Sequence, residues 1–282
     1  MFNLIAINRI GKSIELTNNR NYNLIDVGGL TPPKASINYS SIATSNISKF
    51  NSARLEPRNI VLTIIPEVPV EKNRINLYTF FRVGELVTIS YKNSSRNVTI
   101  QGYVENVDGS LFTMKQEIQI SILCLDPYFK DAVTIIEELS QILSMFEFPF
   151  SIEEEGIPFS EIDRTYMQNV VNGGDAQCGM IVTLQATGNV TNPMIVDATN
   201  QGKFSLEISM VDGDLIRINT YKGQKSVILE RGGKSQNIIG NVAKGSTWFQ
   251  LPTGENVFAY DANSGSEYLI VNFIHNDLYG GV

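Results

Sequence analysis

Residues 58–65, RNIVLTII, form a dense β-branched run better suited to a buried strand than to a surface one. Working outward from it, short runs rich in Val, Ile, Thr, Tyr and Phe recur, with Asn, Gly, Asp and Ser between them. That is the grammar of an all-β protein with many hairpins. Residues 86–91, 97–104 and 116–125 read as further strands, and Asp108-Gly109-Ser110 supplies hairpin-turn chemistry. One segment departs from the pattern. In residues 70–81, VEKNRINLYTFF, the side chains of Val70, Ile75, Leu77, Tyr78 and Phe81 share a face at helical spacing, which predicts one amphipathic helix.

The texture changes after Asp126-Pro127-Tyr128-Phe129. Residues 131–146, DAVTIIEELSQILSMF, carry Ile135, Ile136, Leu139, Ile142, Leu143 and Phe146 at helical spacing, with Asp131 placed as an N-cap. The acidic run Glu153-Glu154-Glu155-Gly156 then reads as a solvated connector. Beyond it, residues 177–187, 203–210, 214–221, 225–230 and 268–273 read as strands, separated by turns such as Asp212-Gly213-Asp214 and Gly232-Gly233. The expected organisation is an N-terminal β domain with one helix (1–131), a helical and acidic connector (132–155) and a C-terminal β-sandwich (156–282). The fold class is mainly β. The Gly-Gly pairs at 28–29, 173–174, 232–233 and 280–281 are read as turn glycines.

The 282-residue chain has 22 Lys+Arg against 29 Asp+Glu, net −7, so it lacks the basic footprint of a general nucleic-acid binder. Its longest apolar stretches are far short of a membrane span, and residues 1–9 carry neither a basic leader nor a small-residue cleavage site. Two cysteines, Cys124 and Cys178, and one histidine, His275, are too few for the common zinc sites. Both cysteines are expected to be reduced and buried.

No G-x-S-x-G elbow occurs, and the two Gly-Lys-Ser triplets lack the leading glycine of a phosphate-binding loop. His275 lies in a late apolar run, where a packed histidine is expected rather than a base. Glu153–Glu155 sit on a connector, and Asp212 and Asp214 flank a turn glycine, so neither group is preorganised for acid–base work. Trp248-Phe249 could stack a sugar, against the plainer reading of a core tryptophan. No catalytic, cofactor-binding or metal-binding residue is therefore assigned.

Two stretches carry a resemblance. Residues 23–131 run from NLIDVGGLTPP through LEPRNIVLTI and RINLYTFFRVGELVTI to ISILCLDPYFKD, and residues 210–282 contain DGDLIRINTYKGQKSVIL, STWFQLPTGENVFAYDA and YGGV. Their order and placement resemble the phage distal tail protein family, siphovirus-type tail components. The resemblance implies a virion protein whose N-terminal domains form a hexameric ring, with galectin-like C-terminal sandwiches projecting outward. The implied partners are further copies of the chain, the tail tube protein, the tail-tip or baseplate hub and a receptor-binding protein. It implies no enzyme, no cofactor, no membrane and no specific nucleic-acid binding. Assembly in the host cytoplasm and residence in the virion tail tip follow from it. The chain is too short for an inserted carbohydrate-binding domain, a departure that argues against direct receptor binding. A glycan-binding β-sandwich module used in host-cell-wall adhesion is the alternative. A cell-wall hydrolase is the remaining rival.

Overall fold

The computed structural model describes residues 2–41, 46–113, 115–139 and 167–282. The chain forms two compact units, Met1–Val133 with Leu278–Val282, and Thr134–Asp277. In chain order the elements of the first unit are β1 (Asn3–Asn8), β2 (Ser13–Glu15), β3 (Tyr22–Gly28), β4 (Ala35–Ser41), β5 (Ser48–Leu55), β6 (Arg58–Pro66), α1 (Val70–Phe80), β7 (Leu86–Lys92), β8 (Asn97–Gly109), β9 (Ile118–Cys124) and β10 (Phe129–Asp131). The second unit holds β11 (Ile135–Leu139), β12 (Met167–Asn172), β13 (Ile181–Ala186), β14 (Val190–Asp197), β15 (Gly202–Ser205), β16 (Ser209–Met210), β17 (Leu215–Asn219), β18 (Ser226–Arg231), β19 (Lys234–Asn237), β20 (Gly254–Ser264) and β21 (Leu269–His275). The chain then returns to the first unit as β22 (Leu278–Tyr279).

The first unit is built on an antiparallel sheet in the order β2-β1-β7-β8-β9-β6-β3, with β10 and β22 attached beside β8. β6 is an interior strand, paired on both sides between β9 and the edge strand β3. It is not buried on both faces, however: Ile60, Leu62 and Ile64 are fully buried, while Val61, Thr63 and Ile65 are only half-buried. β8 pairs with β7 along its first half and with β9 along its second, with a register shift between Val104 and Asn106. Gly102 lies where the two pairings meet. A Cβ there would sit 2.7 Å from both Cys124 Sγ and Ile122 Cγ2, so only glycine lets β8 and β9 close.

The predicted helix is present as α1, with Leu77, Phe80 and Phe81 in the core. Its apolar face is narrower than expected, because Ile75 and Tyr78 stay exposed. The loop before it is tied down by Asn73, whose Nδ2 donates to Glu67 O at 2.9 Å.

The second unit is a β-sandwich of two antiparallel sheets, β11-β21-β13-β17-β18-β19 and β12-β20-β14-β15 with β16 on β14. Phe249, Phe258 and Phe273 run through its core, with ring centroids 5.5 and 4.9 Å apart. This matches the expected fold class.

The helix predicted over 131–146 is corrected. Residues 135–139 are strand β11, pairing with β21 from Ile135↔His275 to Leu139↔Val271. A β-branched run (Val133-Thr134-Ile135-Ile136) meets the free edge of β21, and tertiary pairing overrides the helical periodicity. Asp131, expected as the N-cap, instead ends β10, and residues 140–146 of that predicted helix and the 153–156 run lie outside the described residues.

Two Gly-Gly pairs are also corrected. Gly232 and Gly233 have positive φ, as turn glycines should, but the 173–174 and 280–281 pairs do not. At Gly173 and Gly281 the need is space: an added Cβ would lie 2.9 Å from Asp277 Oδ2 and from Pro32 Cδ, respectively.

Candidate assembly surface

β4 and β5 form a two-stranded ribbon that, among the described residues, joins no other sheet. The register is Ala35↔Leu55, Ile37↔Ala53, Asn38↔Ser52, Tyr39↔Phe50 and Ser40↔Lys49, with a bulge that accommodates Asn51. Since directly opposed residues share a face, Ala35, Ile37, Tyr39, Phe50, Ala53 and Leu55 lie on one side. Ser36, Asn38, Ser40, Lys49, Ser52 and Arg54 lie on the other. The polar side is fastened across the strands: Asn38 Nδ2 donates to Ser52 Oγ at 3.1 Å, and Asn51 Nδ2 to Ser40 Oγ at 2.7 Å.

The apolar side is bare. Ile37, Tyr39 and Phe50 are 58%, 64% and 62% exposed. An isolated two-stranded ribbon is marginal in water, and a contiguous apolar face marks a surface that binds something. The ribbon is also basic. Residues 27–55 contain Lys34, Lys49 and Arg54 and no acidic residue, on a chain whose net charge is −7. Sequence reasoning missed the ribbon because its serines and asparagines read as loop. The signal was the Ile37/Tyr39 and Phe50/Ala53 alternation once the register is known.

The residues weighed for chemistry do not converge. His275 is fully buried at the end of the core column of β21, and neither ring nitrogen has a hydrogen-bond partner among the described residues. Its Nδ1 lies 3.6 Å from Asp277 Oδ1. Burial lowers its pKa, opposed by the nearby Asp277 carboxylate. Asp212 faces solvent, whereas Asp214 is buried and held by Arg231 Nε at 2.8 Å and by the Val211 amide at 2.8 Å. The hydrogen bond from Arg231 keeps the Asp214 carboxyl below its usual range, which suits a structural anion and not a proton donor. Trp248 is half-buried. Its ring meets Phe204 edge-on at 5.1 Å and has Lys225 Nζ 5.3 Å from its centroid, so one of its faces already carries a cation.

Cys124 and Cys178 are free and buried, as expected, and burial pushes their thiols up to about 11 and about 12. With so little thiolate at neutral pH, both should resist a water-soluble disulfide reagent in the native protein. Each thiol should then appear only as its own unit unfolds in denaturant, and rapid labelling of either one before unfolding would contradict the burial.

The His275 environment sets a pH dependence. A buried base with a lowered folded-state pKa leaves the unfolded state holding more protons, so stability falls as pH drops below about 6.5. It stops falling once the folded-state pKa is passed. The thermal midpoint of the second unit should therefore decline as pH falls below about 6.5, and His275→Leu should flatten that slope. An unchanged slope in the variant would assign the acid sensitivity to other groups.

Residues 173–275 match the family described as siphovirus-type tail component, C-terminal domain. No curated protein matches the sequence. Among solved structures, the SPP1 Dit protein (gp 19.1), described as a paradigm of the hub adsorption apparatus in phages infecting Gram-positive hosts, superposes with a TM-score of 0.70 at 13% identity. That match covers 98% of this chain and 99% of the other. Chains of the phage P2 baseplate in its activated conformation, with calcium and with strontium, each match at a TM-score of 0.53, at 11% and 12% identity. Those matches cover 98% of this chain and 98% of each baseplate chain. By family over residues 173–275 and by fold over nearly its whole length, this protein resembles the phage distal tail proteins.

Proposed function

We propose that this protein is a structural component of a phage tail tip or baseplate, built into the virion as a ring that joins the tail tube to the hub and adhesion apparatus. The observation that carries the reading is the β4–β5 ribbon: an amphipathic arm with a bare apolar face on a chain of distal-tail fold. Such an arm needs a partner surface, and a second copy of an acidic chain offers both apolar area and opposite charge to a basic ribbon. One heterologous contact of this kind, repeated around an axis, closes a ring without any catalytic pocket. Six copies follow from the family resemblance, and a net-negative ring suits a lumen through which DNA slides without sticking.

Light scattering over a wide concentration series, with negative-stain imaging of the most concentrated sample, tests this. The expected species is six times 31.3 kDa, ~190 kDa, seen end-on as a six-fold ring. A two-fold dimer, or a ring of another order, would overturn the six-fold reading, and a monomer throughout would leave the ribbon without its second copy.

A further inference from the structure

The first unit is completed by residues that arrive only after the whole second unit: Leu278–Val282. β22 adds to β10 in antiparallel register, Phe129↔Tyr279 and Lys130↔Leu278. Past the strand, the Val282 amide donates to Leu30 O at 3.1 Å. Tyr279 lies under Arg96, whose guanidinium carbon is 3.6 Å from the ring centroid, and its hydroxyl is 3.4 Å from Asp131 Oδ2. The Gly280 carbonyl accepts from Arg58, a buried guanidinium that also donates to Gly29 O, to Thr31 O at 2.7 Å and to Pro127 O at 2.9 Å. Tyr279 and Val282 pack against the hydrophobic core of the unit.

We infer that the first unit carries a peptide-recognition site, made by β10, Arg58, Arg96 and the 29–32 loop, whose ligand is an extended Leu-Tyr-Gly-Gly-Val segment, and that residues 278–282 occupy it as a separable ligand. The contacts are those of strand addition: main-chain pairing supplies affinity, and side-chain seats supply choice. Leu278 is buried, the Tyr279 ring is clamped between cation and carboxylate, and Arg58 reads a main-chain carbonyl. The two glycines are not equivalent. A Cβ on Gly281 would lie 2.9 Å from Pro32 Cδ and 3.3 Å from Leu30 O, whereas one on Gly280 meets nothing within 4 Å. The site therefore demands glycine at 281 and tolerates alanine at 280.

The test uses the full chain with a protease recognition sequence inserted between Asp277 and Leu278, folded before it is cut. The released fragment should stay bound through buffer exchange and be displaced by an excess of synthetic LYGGV. A fluorescent LYGGV titrated onto the stripped protein should bind saturably, as should its Gly280→Ala form. The Gly281→Val and Tyr279→Ala forms should bind at least tenfold more weakly, as should LYGGV to the Arg58→Met protein. If the insertion blocks folding or cutting, the chain ending at Asp277 takes the same titration. Free dissociation of the fragment from a first unit whose amides stay protected from exchange, or equal binding of all four peptides, would overturn the proposal.

Discussion

Replacing Ile37 and Phe50 by aspartate should abolish self-association while leaving the folded monomer intact. The two side chains lie on the bare face of the β4–β5 ribbon and bury little area in the single chain, so each unit should melt within a degree or two of the parent. In an assembly the same side chains leave water. Burying two large apolar groups is worth roughly 1.5–3 kcal/mol each, so their loss alone weakens each contact by about 4 kcal/mol, near a thousandfold in affinity. Aspartates left in an apolar interface weaken it further. The control is the opposite side of the ribbon: Ser36→Asp and Ser52→Asp alter charge without touching the apolar face. Light scattering of both variants at matched concentration separates the outcomes. If the apolar-face variant assembles like the parent, the ribbon is not the contact and the ring must close through another surface.

How much of this was legible beforehand depends on which interactions decide each element. β6, α1, β7, β8 and β9 were readable because their own side chains settle them: β-branched runs with one face buried, and one stretch at helical spacing. β14 was missed because Asn192-Pro193 punctuates it. The structure accommodates both residues, Asn192 at φ 50° and Pro193 paired opposite Ala262 beside it, so the strand tolerates a sequence that reads as a turn. β11 was misread because its apolar spacing fits a helix as well as a strand, and only the edge of β21 chooses between them. The ribbon was missed for a different reason. Its amphipathicity exists only across two strands, in a register that Asn38–Ser52 and Ser40–Asn51 bonds hold, and neither strand alone shows it.

The same distinction explains Arg58, which as a sequence position looks like the polar start of a strand. In the structure it is 3% exposed, with no carboxylate paired to it among the described residues, resting over the Phe129 ring at 4.5 Å and surrounded by the carbonyls of Gly29, Thr31, Pro127 and Gly280. Burial lowers its pKa, yet a guanidinium stays charged, so these four carbonyl dipoles and the ring face are what replace its water. Three segments far apart in the chain are thus pinned to one cation. Arg58→Met keeps much of the packing volume but removes the charged donor from four part-buried carbonyls. With a hydrogen bond to a charged group worth about 1.5–3 kcal/mol, the loss should exceed ~3 kcal/mol and fall on the first unit alone. Lysine should restore little, since one ammonium cannot span the fork of acceptors that Nε and both terminal nitrogens reach. A fragment of residues 1–133 lacks the Gly280 carbonyl and β22, so it should show the same deficit with Arg58 intact. Joining Val133 to Leu278 through a short Gly-Ser linker should repair it, because β10 and β22 are paired neighbours and the second unit is an insertion between them. Hydrogen exchange at β10 and the 29–32 loop reads all three proteins on one scale. Full protection in the 1–133 fragment would show that residues 278–282 are carried by the first unit without holding it together.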